Sequence, residues 1–269
     1  MKSPIIRKIC ILFFSFLAAC STREFIPPIQ ETERQLVQDF IRQFFFEEGA
    51  VYTLFGEKPM TDLLIFCGDE KDMSLDGLSQ ETLEGLSFRE DFTFDRWKAW
   101  CKFINKNKFD NYIFLTRQSA HDPLYLVYGI VNIKLFEKVF LAHEQNFKKI
   151  DPLITFSKAL KELQNSSSPF WNAAFADHYL CGLLYGYGEA NAAYFAENLQ
   201  SQKAPTKFSE KATEGFIRLP MYAISGADPQ NERYKRQKKT IEEIYKNRDP
   251  IQITMEQLSA LKQSYSSGK

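Results

Sequence analysis

The sequence has few of the residues that build disulfide-linked or metal-held folds. Its 269 residues include five cysteines and three histidines. Small disulfide scaffolds need a dense, even set of cysteines, and zinc sites need cysteines or histidines at short, repeated spacings. Neither pattern is present, so we expect no metal and no cofactor. Whether any two of Cys67, Cys101 and Cys181 pair is left open by the sequence.

A charge excess and a long apolar run are also missing. The 34 basic residues equal the 34 acidic ones, whereas a nucleic-acid-binding protein presents a strongly basic face. The apolar run at residues 9–17 is too short to span a bilayer, which takes about 20 residues. We therefore expect no nucleic-acid partner, and no membrane-spanning helix at this run.

The sequence lacks the short motifs that identify a reaction. It contains no Gly-x-Ser-x-Gly, no His-Glu-x-x-His, no phosphate-binding Walker loop and no paired Cys-x-x-Cys. Such motifs place nucleophiles, metal ligands or backbone amides at a reacting group. Their absence gives no basis for an enzyme class and favours a protein that is not an enzyme.

What the sequence does contain is a three-part segment at its N terminus. Lys2, Arg7 and Lys8 are basic, residues 9–17 are apolar, and Leu-Ala-Ala-Cys at 17–20 closes the segment. A basic start, an apolar stretch of about 7–15 residues and small residues before a cleavage point are typical of a secretory signal peptide. The Leu-Ala-Ala-Cys sequence resembles the lipobox of bacterial lipoproteins in all four positions.

This resemblance implies removal of residues 1–19, lipidation of Cys20 with palmitate-type acyl chains, and attachment of the remaining chain to a membrane. Ser21, rather than Asp, follows the cysteine, which among Gram-negative lipoproteins implies the outer membrane. Two or three acyl chains give stable attachment, since each buried methylene contributes about 0.8 kcal/mol. Processing leaves 31 basic against 34 acidic residues, because residues 1–19 hold three basic residues and no acidic one.

The remaining chain is expected to consist of a short tether and one larger domain. Pro27-Pro28 disfavours a helix, so residues 20–33 are predicted to form the lipidated tether. Residues 34–263 are predicted to form a single α+β domain, with a candidate sub-boundary at the Ser-rich loop 165–169. Residues 264–269 are predicted to be a frayed tail.

The expected fold is an antiparallel sheet of four to five strands covered by helices, with a helix-rich C-terminal half. Short β-branched or aromatic runs bounded by turn residues predict the strands. The nearly continuous apolar run 124–131 predicts a central strand, and the short loop before it predicts antiparallel pairing with the preceding strand. The predicted strands are Val51–Phe55, Leu63–Cys67, Tyr112–Leu115, Leu124–Val131 and Phe216–Ile224.

Apolar residues three and four positions apart predict the helices. The first is expected at 34–48, with Gly49 as its stop. Asn132 is expected to cap a helix, and Asp151-Pro152 is expected to start another. Further helices are predicted at about 94–104, 170–185, 189–200 and 229–247.

Two pairs of residues are weak candidates for catalysis. His121-Asp122 lies in a loop between predicted strands, where Asp122 can orient His121 as a general base. His178 and Cys181 lie three residues apart on a predicted helix, a spacing that suits a nucleophile–base pair or half a metal site. A turn explains the first pair and core packing explains the second, so no catalytic residue is assigned.

Gly186-Tyr187-Gly188 separates two predicted helices and is expected to be a turn with positive φ angles that displays Tyr187. Stretches 44–60 and 183–195 resemble stretches of uncharacterised bacterial lipoproteins, a resemblance that implies no activity. The sequence therefore favours a lipid-anchored binding or structural protein of the bacterial envelope, in contact with an envelope protein or peptidoglycan. A membrane-anchored hydrolase acting on peptidoglycan or peptide and a surface-exposed host-contact protein are the alternatives.

Overall fold

The computed structural model describes residues 29–67, 94–105, 107–119, 124–201, 205, 207–209, 215–226 and 229–259. The chain divides into a unit of residues 1–31 and a unit of residues 32–269. Since only residues 29–31 of the first unit are described, the architecture below is that of the second. Among the described helices, none combines the length and the apolar character needed to cross a membrane.

Eleven α-helices and one π-helix occur in the described part of the chain. The helices α1 (Glu31–Phe40) and α2 (Val51–Leu54) flank the π-helix Ile41–Glu47, and α3 (Phe94–Ile104) follows later. The C-terminal half is helical, as predicted. Its helices are α4 (Ile133–Ala142), α5 (Glu144–Ile150), α6 (Phe156–Leu163), α7 (Pro169–Ala176), α8 (His178–Leu184), α9 (Glu189–Gln200), α10 (Pro229–Tyr245) and α11 (Pro250–Ser259).

Three antiparallel strands form one sheet in the described residues. They are β1 (Met60–Phe66), β2 (Tyr112–Gln118) and β3 (Tyr125–Asn132), in the order β1-β3-β2. The prediction that the 124–131 run is a central strand, paired antiparallel with the strand before it, is confirmed. The α+β class is also correct, but the prediction of four to five strands is wrong.

The first missing strand is Val51–Phe55, which forms α2 instead. All four residues of α2 are buried, and Gly49, with a φ of 79°, turns the chain into it. β-branched and aromatic residues favour strands where they can pack on a half-buried pleated surface. The residues of α2 are buried on every side, so the preference for a strand does not apply to them. A short apolar run also shows no hydrophobic period that would distinguish a helix from a strand.

The second missing strand is Phe216–Ile224, which is irregular and belongs to no sheet. An isolated bridge joins Ala223 to Phe208, and Pro220 has no N–H to donate to a neighbouring strand. The backbone N–H of Arg218 donates to the carbonyl oxygen of Phe46 at 2.9 Å. This hydrogen bond ties the segment 215–226 to the π-helix.

Helices cover both faces of the sheet with separate aromatic cores. On one face, the indole N–H of Trp100 donates to the hydroxyl of Tyr128 at 2.7 Å, and the ring of Phe40 stacks on Trp100. The other face carries Met60 and Val131 and packs against the helices from α4 to α9. Side chains alternate between faces along a strand, so Asp62 shares the second face with Met60.

Two predicted helices are interrupted or begin later than expected. Asn132 caps α4 as predicted, since its side chain accepts from the N–H of Leu135. The helix expected from Asp151 begins at Phe156, because Thr155 supplies the cap. The helix expected over 170–185 is broken at Asp177, whose carboxylate caps α8.

Candidate functional site

A cleft of about 420 Å³ opens where four separate segments of the chain meet. Lys58 and Asp62, immediately before and within β1, lie at its buried end. The end of the π-helix contributes Glu47 and Glu48 near the surface, and Tyr185 stands on the side formed by the turn after α8. Small-molecule sites typically measure about 300–1,000 Å³, so the cleft has the size of a ligand-binding site.

One wall of the cleft is formed by the end of the π-helix Ile41–Glu47. π-helical turns are rare in proteins, and those that occur often lie at functional sites. The helix ends at Glu47, and the next residues, Glu48 and Gly49, turn sharply because Gly49 has a positive φ. The 215–226 segment lies beside it and adds Arg218 to the cleft, where its guanidinium lies 3.8 Å from the carboxylate of Glu47.

The turn after α8 has the predicted conformation, with positive φ at both Gly186 and Gly188. The hydroxyl of Tyr234 donates to the carbonyl oxygen of Gly186 at 2.7 Å. A Cβ atom on Gly186 would lie 3.2 Å from the Cα of Lys58. Glycine therefore allows this turn to approach Lys58 closely, which places Tyr185 and Tyr187 along the cleft.

Asp62 is a carboxylate on the core side of an apolar strand. The hydroxyl of Tyr185 donates a hydrogen bond to its Oδ2. Burial raises the pKa of the Asp62 carboxyl, against the opposing effects of the Tyr185 hydrogen bond and the positive charges of Arg117 and Lys58. Asp62 is thus more easily protonated than a surface aspartate.

Lys58 is the most unusual charged residue of the cleft. It is 4% exposed, and its ammonium lies 5.9 Å from the centre of the Tyr185 ring. Among the described residues, none forms a hydrogen bond or ion pair with this ammonium. Burial lowers the pKa of Lys58 to about 8, although the charges of Asp62 and Glu48 act in the opposite direction.

Three tyrosines form a stack beside these charges. The rings of Tyr185 and Tyr187 lie 5.9 Å apart at 29°, and those of Tyr187 and Tyr222 lie 4.8 Å apart at 15°. Burial raises the pKa of both Tyr185 and Tyr187, so both hydroxyls keep their protons at neutral pH. The stack supplies a flat wall of neutral rings next to a buried ammonium.

The predicted residues His178 and Cys181 lie on α8 in different surroundings. His178 is exposed, with its ring 5.9 Å from that of Phe195. Cys181 is half-buried, and burial raises the pKa of its thiol to about 12. No hydrogen bond joins the two in the described structure. The thiol is therefore protonated at neutral pH, whereas a nucleophilic cysteine needs a depressed pKa.

The other predicted site residues, His121, Asp122 and the lipidation residue Cys20, lie outside the described residues. Of the three cysteines whose pairing the sequence left open, Cys67, Cys101 and Cys181 are all free thiols. No group of three or more metal-ligating side chains occurs within the described ranges.

A larger cavity, of about 570 Å³, lies between the end of α3 and α6. Its lining is mainly apolar and amide side chains, such as Ile104, Phe109, Asn107 and Gln164. It contains no buried charged group comparable to Lys58 or Asp62. Titratable groups with perturbed pKa values in a cleft are candidates for a functional site, so we take the smaller cleft as the candidate site.

Sequence analysis missed the residues at the buried end of this cleft. Lys58 stands in Gly56-Glu57-Lys58-Pro59, which has the composition of an exposed turn. Asp62 precedes the predicted strand, although a lone carboxylate within the apolar run 60–66 was a usable signal. Tyr185 was predicted only as the last residue of a helix. The turn displaying Tyr187 was the one part of the cleft that the sequence indicated.

Comparisons of this chain with models of protein families, with curated proteins and with solved structures found no match.

Proposed function

We propose that this protein is a lipid-anchored, non-catalytic binding protein of the bacterial outer membrane, and that the cleft around Lys58 and Asp62 holds its ligand. The observation that supports binding is the ammonium of Lys58, buried without an ion pair to any described residue. A buried charge costs free energy unless it is paired. A ligand anion would supply the missing partner of this ammonium.

The anchor rests on the lipobox and has its own test. Metabolic labelling with palmitate should mark the wild-type protein in membranes and should leave Cys20→Ala unlabelled. The Cys181→Ala variant is the matched control, because Cys181 is a half-buried thiol far along the chain. Labelling of Cys20→Ala at the wild-type level would contradict lipidation at Cys20.

Binding is tested with the lipidated protein in detergent against a panel of amino acids, dipeptides, simple sugars and soluble peptidoglycan fragments. At least one compound should raise the melting temperature, because a ligand that binds only the folded state stabilises it. The same compound should have no effect on Lys58→Met. If the complete panel leaves the wild-type melting temperature unchanged, the proposed function is wrong.

A second candidate is a hydrolase acting on peptidoglycan or peptide at the same cleft. One observation favours it: the raised pKa of Asp62 next to Tyr185 suits a general acid. Incubation with the same fragments and peptides, followed by mass spectrometry, distinguishes the two. If products form with the wild-type protein and not with Asp62→Asn, the protein is a hydrolase rather than a non-catalytic binding protein.

A further inference from the structure

The side chain of Lys58 combines burial with contact to a cavity. It is 4% exposed, yet it lines the cleft of about 420 Å³ together with Asp62 and Tyr185. No described residue forms a hydrogen bond or an ion pair with its ammonium. A buried amine without a partner avoids the cost of its charge in one of two ways, by pairing with a ligand anion or by releasing its proton.

Release of the proton makes Lys58 a nucleophile. Burial lowers the pKa of Lys58 to about 8, so about a quarter of the folded molecules carry a neutral amine here at pH 7.5. An exposed lysine with the usual pKa is neutral in roughly one molecule in a thousand at that pH. Lysines kept neutral by burial are the ones that attack carbonyl carbon atoms in proteins.

We propose that Lys58 reacts with a small aldehyde or ketone in this cleft and holds it as a reversible imine. The neutral amine adds to the carbonyl carbon, and its two protons leave with the carbonyl oxygen as water, which leaves a carbon–nitrogen double bond. Water reverses the reaction, so neither step needs an oxidant or a reductant. The reaction goes beyond the proposed function, because it adds a covalent chemistry to non-covalent binding in the same cleft.

The charges around Lys58 are compatible with the imine as product. An imine nitrogen that takes up a proton is positively charged, as the ammonium is. The negative charges of Asp62 and Glu48 raise the pKa of Lys58, and they stabilise a protonated imine at the same nitrogen in the same way. The product therefore keeps the electrostatic surroundings that the ammonium has.

The remaining lining of the cleft suits the uncharged body of an aromatic carbonyl compound. The rings of Tyr185 and Tyr187 lie 5.9 Å apart at 29° and form one side. The apolar side chains of Leu219, Pro220 and Met221 also line the cleft. Flat rings and apolar side chains favour an aromatic ligand, so benzaldehyde is the probe that we choose.

The experiment treats the lipidated protein in detergent at pH 7.5 with benzaldehyde and sodium cyanoborohydride, which reduces an imine to a stable benzylamine. Peptide mapping by mass spectrometry then measures benzylation at each lysine. Lys58 should react at least about 10-fold faster than Lys134, an exposed lysine on α4, because far more of Lys58 is neutral. In protein unfolded with guanidinium chloride, the two lysines should react at nearly equal rates.

The pH dependence of this ratio tests the neutral amine directly. The rate at Lys58 divided by that at Lys134 should be constant below about pH 8 and should fall as the pH rises from about 8 to 10.5, because only Lys134 still gains neutral amine there. Among the described residues, the charged or titratable groups that face Lys58 in the cleft are Glu47, Glu48, Asp62, Tyr185, Tyr187 and Arg218, and the hydroxyl of Tyr234 lies behind the turn at Gly186.

Two matched variants assign the reaction to one residue. With limiting benzaldehyde, Lys134→Arg should take up one benzyl group as the wild type does. Lys58→Arg, which keeps the positive charge but cannot form an imine under these conditions, should take up almost none. Rapid benzylation of Lys58→Arg would overturn the inference, as would equal rates at Lys58 and Lys134 in the folded wild-type protein.

The outcomes separate this inference from the proposed function, which is measured by the melting temperature with the panel of compounds. If a panel compound stabilises the protein and Lys58 is not benzylated selectively, the inference is overturned and the binding function stands. If Lys58 is benzylated selectively and no panel compound stabilises the protein, the imine chemistry stands and the binding function is wrong.

Discussion

At the scale of single residues, the burial of the Lys58 ammonium lowers the stability of the folded protein. Burial lowers the pKa of this lysine from 10.5 to about 8. Between these values the unfolded chain binds a proton that the folded chain has released, so the free energy of unfolding rises with pH across this window. Below about pH 8 the full cost of the buried charge is present.

The first prediction follows from the lowered pKa of Lys58. Lys58→Met should increase the free energy of unfolding at pH 7, by at most about 3 kcal/mol at 1.36 kcal/mol per pKa unit. The gain should shrink as the pH rises from about 8 to 10.5. Urea denaturation at a series of pH values measures both effects. Lys134→Met should show neither, and a Lys58→Met protein that is less stable at pH 7 would contradict the prediction.

The second prediction concerns the two glycines of the turn. Gly186→Ala should cost about 2–4 kcal/mol, because it combines a left-handed backbone with a Cβ that lies 2.6 Å from the Tyr234 hydroxyl. Gly188→Ala should cost only about 1–2 kcal/mol, since φ is positive there but the nearest atom, in Gln230, lies 4.0 Å away. Thermal denaturation compares them, and equal costs would show that the close approach to Lys58 has no packing consequence.

At the scale of elements, the two faces of β3 differ in the residues that the neighbouring strands β1 and β2 place opposite them. Ile130 is fully buried between Thr61 and Phe114. Val127 is also buried, but its partners are Leu64, which is 53% exposed, and Arg117. Cross-strand partners have Cβ atoms about 4.5–5.5 Å apart. A carboxylate at position 127 can therefore pair with Arg117, and one at position 130 has no such partner among its strand neighbours.

The third prediction ranks two substitutions by how much they destabilise the protein. Ile130→Asp should destabilise the protein by several kcal/mol through an unpaired buried charge, whereas Val127→Asp should cost clearly less. Adding Arg117→Gln should make Val127→Asp more costly and should leave the cost of Ile130→Asp unchanged. Chemical denaturation of the single and double variants tests this. An equal cost for Val127→Asp in both backgrounds would rule out the pairing with Arg117.

At the scale of the whole molecule, the folded body begins slightly earlier in the chain than the sequence predicted. The sequence indicated a tether through residue 33, but α1 begins at Glu31. The carboxylate of Glu33 also lies 2.7 Å from the ammonium of Lys102 on α3. Residues 31–33 therefore belong to the first turn of α1.

The fourth prediction is a pair of truncations. A protein that begins at Ile29 should melt at nearly the same temperature as one that begins at Ser21, because it keeps all of α1. A protein that begins at Arg34 should lose the first helical turn and the ion pair of Glu33, and should melt about 2–4 °C lower for a loss of roughly 1 kcal/mol. A large drop for the Ile29 protein would show that residues 21–28 pack on the folded body.

The parts of the fold that the sequence predicted correctly depend on local patterns. The hairpin of β2 and β3 contains the apolar runs 112–115 and 124–131, separated by few residues, which leaves few alternative pairings. Asn132 caps α4, and glycines allow the positive φ angles of the turn at 186–188. Each of these features is formed by residues that are close together in the sequence. The strand predicted at 51–55 failed because burial by distant residues, rather than the local run, determines its structure.

By itself, the sequence determined the α+β class, the central strand, the two-glycine turn and the expectation of a lipid anchor at Cys20, because each depends on neighbouring residues. Only the tertiary structure decided that Lys58 is buried, that Asp62 is half-buried and that Tyr185 donates to Asp62. The partners in that cleft come from positions 47, 62, 185 and 218, and no periodicity relates positions so far apart. The pKa of a side chain follows from its surroundings, so chemistry at this site exists only after the chain has folded.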